Sequence, residues 1–240
     1  MAVSAAEGPI RYIWFDQDDT LYDYHDAMHR AMSRCVATIH EHFPQTRETL
    51  DVAGLIEVRS ELTERADRSG WDFVRARREA FGEAIRRYAD AESELGEHLA
   101  GVYYEALKAG IAPFAGTIEC LRELARDYTL GIISNGMSLV EELGIADLFA
   151  HRVYALETGL AKPDRAVFEH AMAITGAGPE AHVLVGDSAF CDVVGAREAG
   201  WRSVWLNRDG RPWEIEAEPP ELTIASLAEL PALIAELNAT

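Results

Sequence analysis

The chain has 240 residues and a formal net charge of −19, which makes nucleic-acid backbones and anionic membrane surfaces poor partners. Nearly half of the residues (48%) are apolar, a share that suits a globular fold and excludes a disordered chain. The length allows one large domain, or a core with an insert.

The cysteines and the first residues bear on the compartment. Three cysteines are present, an odd number without metal-type spacing, and they favour a reducing cytoplasm. Residues 1–10 contain no basic region followed by an apolar stretch, so we expect no signal peptide. No apolar run approaches the length needed to span a bilayer. We therefore expect a soluble cytoplasmic protein with no membrane partner.

The segment from residue 11 to residue 21 starts as an apolar run and then meets three aspartates. The run up to Phe15 predicts a buried strand. If the chain stays extended beyond it, Asp16 and Asp18 project to the same side. Two carboxylates about 4 Å apart repel by roughly 4 kcal/mol at an effective dielectric constant near 20. Either a divalent metal binds there, or one acid is protonated, or the segment is an acidic turn after an edge strand.

Residues 23–111 show helical periodicity and no strand pattern. The first helix should end at Pro44, the second at Gly70 and the fourth at Gly110, since proline and glycine interrupt helices. The segment has the size of a small helical bundle. The four helices are predicted at residues 25–43, 55–66, 73–88 and 95–110.

From Ile111 onward, helical segments alternate with short apolar strands. This alternation predicts a parallel sheet with helices on both faces. The predicted strands lie at residues 128–133, 152–156, 182–185, 202–206 and 222–224. The predicted helices lie at residues 116–127, before Leu143, at 164–174, at 190–199 and from 227, with a restart at Pro231.

The order of these segments predicts two domains. The α/β core comprises residues 1–22 and 112–240, and the helical insert comprises residues 23–111. Ligands of open parallel sheets bind at the carboxyl ends of the strands. The insert leaves the core from that edge, so we expect it to act as a cap over the site.

Polar groups suited to phosphate chemistry follow three predicted strands. One of only two lysines, Lys162, precedes Pro163 in a loop. A lysine in an arginine-rich chain hints at a need for a compact charge, although Lys108 has no such explanation. The groups at the strand ends are Asp16 and Asp18, then Ser134 and Asn135, and finally Asp187.

Four ordered segments resemble the motifs of the haloacid dehalogenase-like (HAD) hydrolases. They are residues 16–21 (DQDDTL), 134–136 (SNG), 162–164 (KPD) and 186–188 (GDS) with Asp192, and the run at 195–200 also fits. The resemblance covers nearly the whole chain. It implies a HAD-like Rossmannoid α/β core, a parallel sheet with helices on both faces, with an inserted four-helix cap domain.

The resemblance also implies a Mg²⁺-dependent mechanism. Asp16 would be the nucleophile that forms an aspartyl-phosphate. Asp18, with a pKa raised by its neighbours, would protonate the leaving alcohol and then activate water. Mg²⁺ would bind to Asp16, to Asp187 and to Asp18 through its backbone carbonyl. Asp192 would lie outside these ligands and steady Lys162 or a metal-bound water.

Substrate contacts follow from the same resemblance. Ser134 and Lys162 would hold the phosphoryl oxygens, together with Asn135 and backbone N–H groups of residues 17–19 and 135. Simpler structural roles compete with these assignments. Ser134 and Asn135 could form a turn or a helix cap. Asp164 could cap the following helix, and Asp192 could interact favourably with the dipole of the helix on whose first turn it lies. The chain departs from the family pattern at Ala161, where arginine is frequent, and at Arg165, where proline is frequent.

The first functional hypothesis is a phosphomonoesterase for a small-molecule phosphate ester, working as a monomer or homodimer. A dehalogenase has no need of Asp18, because halide leaves without a proton. Phosphonate cleavage needs a cap lysine, for which only Lys108 is available. A phosphosugar mutase could use the same core, and a non-catalytic binding protein is the remaining alternative.

An aromatic and basic patch lies on the third predicted helix. It is interpreted either as a core stripe with solvated arginines or as a substrate contact. In the second case an aromatic ring stacks on a base or sugar, while Arg75 or Arg78 meets a further anionic group. A similar first motif in the nucleotidase-like branch makes a nucleoside monophosphate a candidate substrate. Tyr22, Tyr24 and His25 lie at the first hinge, and no chemistry is assigned to them. The patch residues are Trp71, Phe73, Arg75, Arg77, Arg78 and Phe81.

Overall fold

The computed structural model describes residues 8–65, 73–136 and 139–239. They form two compact units, one containing the residues up to Asp23 and from Ala112 onward, the other Tyr24–Ile111. We call them the core unit and the helical unit. Across the described ranges, no helix combines the length and the apolar character that a bilayer crossing requires.

The core unit is built on six parallel strands. They are β1 (Tyr12–Phe15), β2 (Thr129–Ser134), β3 (His151–Tyr154), β4 (His182–Gly186), β5 (Arg202–Leu206) and β6 (Thr223–Ile224). The order across the sheet is β3-β2-β1-β4-β5-β6, which confirms the predicted HAD-like α/β fold. The order reverses at β1, which lies between β2 and β4. Open parallel sheets bind ligands beside the carboxyl ends of strands at such a point.

The helical unit contains α1 (Tyr24–His42), α2 (Val52–Arg65), α3 (Phe73–Ala89) and α4 (Leu95–Gly110), with a short 3-10 helix at Pro44–Glu48. The buried residues of α1 recur at intervals of three and four, so one face of this helix packs inward. Helix α1 ends just before Pro44, which cannot continue an α-helical hydrogen-bond ladder. Ala66 and Gly70, the predicted end of the second helix, lie outside the described residues.

Five more helices belong to the core unit: α5 (Thr117–Leu124), α6 (Ala155–Thr158), α7 (Arg165–Thr175), α8 (Gly195–Glu198) and α9 (Leu230–Ala239). Asp164 caps α7, since its carboxylate accepts a hydrogen bond from the Ala166 N–H at 2.9 Å. The capping interpretation of this residue is therefore confirmed. Pro231 is the second residue of α9, an early position that suits proline.

Three predicted elements are wrong, because the structure shows a different secondary structure or a different end point for each. Before Leu143 the described residues form a turn instead of a helix, because Ile145 N–H bonds to the Val140 carbonyl at 3.1 Å and Gly144 has a φ of 65°. Strand β3 stops at Tyr154, the partner of the last β2 residue, and the chain then coils into α6. Residues 190–199 form a π-helical turn, Ala189–Val194, followed by α8.

The sheet packs around Trp14, which is fully buried in β1. A Cβ atom on Gly131 of the neighbouring strand would lie 2.5 Å from the Trp14 ring, so this position needs glycine. The Trp14 indole N–H donates to Nδ1 of His182 at 2.9 Å. The His182 ring stacks on Trp201 at 4.4 Å, and its Nε2 lies 3.2 Å from the Thr175 hydroxyl.

Burial lowers the pKa of His182 from 6.5 to about 4. The imidazole is therefore neutral at physiological pH, as its role as acceptor for Trp14 requires. Between pH 6.5 and about 4 the unfolded chain binds more protons at this residue than the folded chain. The free energy of unfolding should fall as the pH falls through this window, by roughly 3 kcal/mol in total.

Urea unfolding of the wild type and His182→Gln at several pH values tests this prediction. Glutamine keeps an acceptor for Trp14 but does not titrate. The stability difference between the two proteins should therefore shrink as the medium is acidified from neutrality to about pH 4. Parallel loss of stability in both proteins would show that His182 does not contribute to acid sensitivity.

Candidate active site

Three carboxylates meet at the carboxyl edge of the sheet. The Asp16 N–H donates to the Val185 carbonyl at 2.9 Å, which extends the pairing of β1 with β4. This register brings Asp16 next to the loop after β4. Carboxylate oxygens of Asp16, Asp187 and Asp192 all lie within 4.8 Å of one another. We call these three residues the carboxylate cluster.

The ammonium group of Lys162 joins two members of the cluster. Its Nζ lies 2.8 Å from Oδ1 of Asp16 and 2.6 Å from Oδ1 of Asp192, and the lysine side chain is 2% exposed. Burial alone would lower the pKa of Lys162, but Asp16 and Asp192 outweigh burial and raise it above the ordinary value. The lysine is therefore charged, and it does not lie on the surface as an isolated lysine would.

The loop carrying Lys162 is held by Asn135. The Asn135 amide donates to the Lys162 carbonyl at 2.8 Å and accepts from the Lys162 N–H at 2.8 Å. The Lys162–Pro163 peptide bond is cis. Asn135 was predicted to bind substrate, but its side chain is engaged with the lysine backbone. Its side chain therefore positions Lys162, and only its backbone N–H remains a predicted substrate contact.

The Asp18 carboxyl group has contacts of its own outside the carboxylate cluster. Its Oδ1 accepts a hydrogen bond from the Tyr22 hydroxyl at 2.6 Å. Its Oδ2 lies 2.6 Å from the place that a Cβ on Gly136 would occupy, so the loop must have glycine there. The Gly136 N–H donates to the Ser134 hydroxyl at 3.0 Å. The Asp18 side chain therefore belongs beside Ser134, and metal binding through its backbone carbonyl remains a prediction.

The electrostatics of the cluster suit a divalent cation. Burial, then Asp192 and Asp19, raise the pKa of Asp187 to about 6. Burial likewise raises the pKa of Asp16, with Asp192 and Asp18 adding to the rise and Lys162 opposing it. Three carboxylates thus face the Lys162 ammonium and the partly exposed Arg211 guanidinium, which lies 3.7 Å from Oδ2 of Asp187. A bound cation would offset the repulsion that remains. Hard oxygen donors of this kind fit Mg²⁺.

Thr20 ties the loop after β1 to the loop after β4. Its hydroxyl donates to Oδ1 of Asp187 at 3.3 Å and accepts from the Asp187 N–H at 3.1 Å. The Trp205 indole N–H and the Arg211 guanidinium donate to the Asp187 carbonyl at 3.0 and 2.9 Å. Thr20 lies inside the first motif, but nothing in the sequence indicates that its partner lies so far along the chain.

Arg208 fixes the turn that follows the nucleophile candidate. Its guanidinium donates to the carbonyl oxygens of Asp19 and Thr20 at 3.3 and 2.8 Å, and it stacks on Phe114 at 3.7 Å. Asp19 has a φ of 56°, a left-handed conformation that aspartate adopts more readily than most residues. The arginine holds this turn from a part of the chain that carried no recognisable motif.

The cap patch is described in part. Arg75 is exposed and donates to Glu79 at 2.7 Å, and Arg78 donates to Glu97 at 3.0 Å, both within the helical unit. Phe81 is buried, as the core-stripe interpretation predicted. Trp71 and the side chains of Phe73 and Arg77 lie outside the described part of the structure.

We predict that Asp192→Ala lowers the free energy of unfolding by about 3–5 kcal/mol in EDTA, because it leaves the buried Lys162 ammonium with one counter-charge fewer. Urea unfolding measures the change. Glu169→Ala is the matched control, since it breaks an exposed ion pair with Arg165 on α7 and should cost less than about 1 kcal/mol. Similar losses in the two variants would contradict the buried-pair interpretation.

Comparison with known proteins gives the family of the chain. A family model described as a haloacid dehalogenase-like hydrolase matches residues 10–200. Pyrimidine 5'-nucleotidase YjjG of Escherichia coli is 32% identical over 138 residues, which cover 55% of this chain and 61% of that protein. Glyceraldehyde 3-phosphate phosphatase of Methanothermobacter thermautotrophicus is 31% identical over 208 residues, which cover 83% of this chain and 87% of that protein.

A solved structure extends the likeness. The 2-haloacid dehalogenase of Pseudomonas syringae pv. Tomato is 32% identical, with a TM-score of 0.77, and the match covers 95% of this chain and 99% of that chain. This chain thus resembles proteins named for phosphate ester hydrolysis and a protein named for dehalogenation. On the family match, which spans most of its length, this chain belongs to the haloacid dehalogenase-like hydrolases.

Proposed function

We propose that this hydrolase is a Mg²⁺-dependent phosphomonoesterase that acts on a small phosphorylated metabolite through an aspartyl-phosphate at Asp16. The observation that carries the proposal is the second acid, Asp18, whose carboxyl group contacts the Tyr22 hydroxyl and lies beside Ser134. A phosphate ester needs such an acid to protonate its leaving oxygen. The names of the two phosphatase-type relatives support a nucleoside monophosphate or a sugar phosphate as substrate.

The metal site would be formed by carboxylates of the cluster. Asp16 and Asp187, with the backbone carbonyl of Asp18, would hold Mg²⁺, and Asp192 would keep Lys162 in place. Bound Mg²⁺ would neutralise negative charge on the phosphoryl group and on the cluster. Thr20 would keep Asp187 oriented through its two hydrogen bonds.

The first half-reaction transfers the phosphoryl group to the enzyme. A carboxylate oxygen of Asp16 attacks phosphorus, and the bond from phosphorus to the leaving oxygen breaks. The protonated Asp18 gives its proton to that oxygen, so the product leaves as an alcohol. The Lys162 ammonium and the Ser134 hydroxyl hold the phosphoryl oxygens during transfer.

The second half-reaction returns the enzyme to its starting state. Asp18, now ionised, takes a proton from a water molecule as that water attacks phosphorus. The bond between Asp16 and phosphorus breaks, and inorganic phosphate leaves. Asp18 is protonated again and Asp16 is ionised again, so one water molecule is consumed in each cycle.

The alternative function is hydrolytic dehalogenation, which is supported by the likeness to a 2-haloacid dehalogenase over nearly the full chain. An aspartate nucleophile serves both reactions. Halide departs without a proton, so dehalogenation gives Asp18 no task. A phosphosugar mutase of this family would transfer the phosphoryl group between hydroxyls and release no net phosphate.

We predict phosphate release from a panel of nucleoside monophosphates and sugar phosphates in Mg²⁺, and none in EDTA. Asp16→Asn should abolish turnover, because the neutral amide oxygen is a far weaker nucleophile than a carboxylate oxygen. Glu169→Ala, which breaks an exposed ion pair on α7, keeps every member of the proposed catalytic set and serves as the control with unchanged activity. Phosphate release in chelator would remove the metal from the mechanism. Halide release from 2-chloropropionate, with no phosphate release from the panel, would favour the dehalogenase.

The role of the cap arginines is proposed and tested separately. If Arg75 and Arg78 bind the non-reacting part of the substrate, changing both to alanine should raise KM for the best metabolite about tenfold. It should leave 4-nitrophenyl phosphate hydrolysis unchanged. Arg165→Ala, which removes another exposed arginine paired with a glutamate, is the matched control. Equal effects on both substrates would contradict substrate recognition by these arginines.

A further inference from the structure

Tyr22 directly follows the first motif and contacts Asp18. The tyrosine is fully buried, and its hydroxyl donates to Oδ1 of Asp18 at 2.6 Å. The other carboxyl oxygen, Oδ2, lies on the side of Gly136 and Ser134. The two oxygens of Asp18 are therefore in different environments, one facing a hydroxyl donor and the other facing the proposed phosphoryl-binding loop.

The backbone around Tyr22 is paired with the segment that re-enters the core unit. Tyr22 forms an antiparallel bridge with Pro113, the Phe114 N–H donates to the Leu21 carbonyl at 3.1 Å, and the Asp23 N–H approaches the Ala112 carbonyl at 3.4 Å. These contacts fix the backbone on both sides of the tyrosine. Because the Tyr22 ring is also fully buried, its hydroxyl can hold the Asp18 side chain in place.

The geometry points to Tyr22 as a positioning residue for the general acid, an inference that rests on the proposed phosphatase function. A protonated carboxyl group has one oxygen that accepts and one that carries the proton. The Tyr22 hydroxyl occupies the accepting position at Oδ1. The acidic proton then resides on Oδ2, the oxygen beside Ser134, where the leaving oxygen of the substrate is expected.

The consequence is a defined orientation of the proton donor. General acid catalysis depends on a proton held within hydrogen-bond reach of the leaving atom, and rotation of the carboxyl group would remove it. Without the Tyr22 hydroxyl, Asp18 loses the hydrogen bond at Oδ1, and its proton is directed less firmly to the substrate side. The tyrosine touches no reacting atom and acts only through Asp18.

The test is the dependence of kcat/KM on the leaving group in Tyr22→Phe. With an aspartyl-phosphate intermediate, kcat/KM reports only the steps up to departure of the leaving group. For glycerol 3-phosphate, whose alkoxide needs a proton, we expect a decrease of about tenfold or more. For 4-nitrophenyl phosphate, whose phenolate leaves unprotonated, we expect a change of less than about twofold.

Two controls separate positioning from packing. Tyr12→Phe removes a partly buried hydroxyl of β1 that approaches the Thr175 carbonyl, and it should leave both substrates unaffected. In an Asp18→Asn background, Tyr22→Phe should have no further effect on kcat/KM for glycerol 3-phosphate, because the group it acts through is gone. Equal losses on both esters in the single variant, or additive losses in the double variant, would overturn the inference.

A crystal structure of Tyr22→Phe gives a readout that does not depend on activity. We expect the Asp18 carboxyl group to leave its place beside Gly136. An unchanged Asp18 conformation would overturn the inference even if the enzyme were slower. If the wild type released phosphate from none of these esters and from no member of the metabolite panel in Mg²⁺, the proposed function would fail, and the Asp18 conformation in the variant would still decide whether Tyr22 positions that residue.

Discussion

The arrangement of the site depends on the buried ammonium of Lys162. It lies within 2.8 Å of Asp16 and 2.6 Å of Asp192, so it links the loop after β1 to the π-helical turn after β4. A buried charge is tolerated only when it is paired and hydrogen-bonded. The side-chain amide of Asn135 donates to the Lys162 carbonyl and accepts from the Lys162 N–H. These two hydrogen bonds help to place the charge where the two carboxylates meet.

Around this ion pair, the site separates its acids by environment. Asp16, Asp187 and Asp192 form one group that suits a cation, whereas Asp18 faces Tyr22 and Gly136. Two acids only two residues apart thus have different neighbours because the chain turns sharply after β1. In the proposed mechanism, such a division would let one carboxyl group act as nucleophile while another donates a proton.

The apolar patterns were sufficient for the sheet and for placing Asp16 and Asp187 at its carboxyl edge, because each follows a strongly patterned strand. The approach of Lys162 to them was implied only by the family resemblance. Periodicity could not predict the π-helical turn before α8, since an apolar pattern does not distinguish it from an α-helix over so few residues. The roles of Asn135 and Arg208 depend on partners far along the chain. Such contacts leave no local pattern.

The two ends of the segment that forms the helical unit lie close together. The Asp23 N–H and the Ala112 carbonyl, which flank the helical unit, are 3.4 Å apart within the core unit. Because both ends of the inserted segment are at one place, lengthening or exchanging it leaves the sheet register untouched. Changes in the helical unit can therefore accumulate without altering the strand pairing of the core unit.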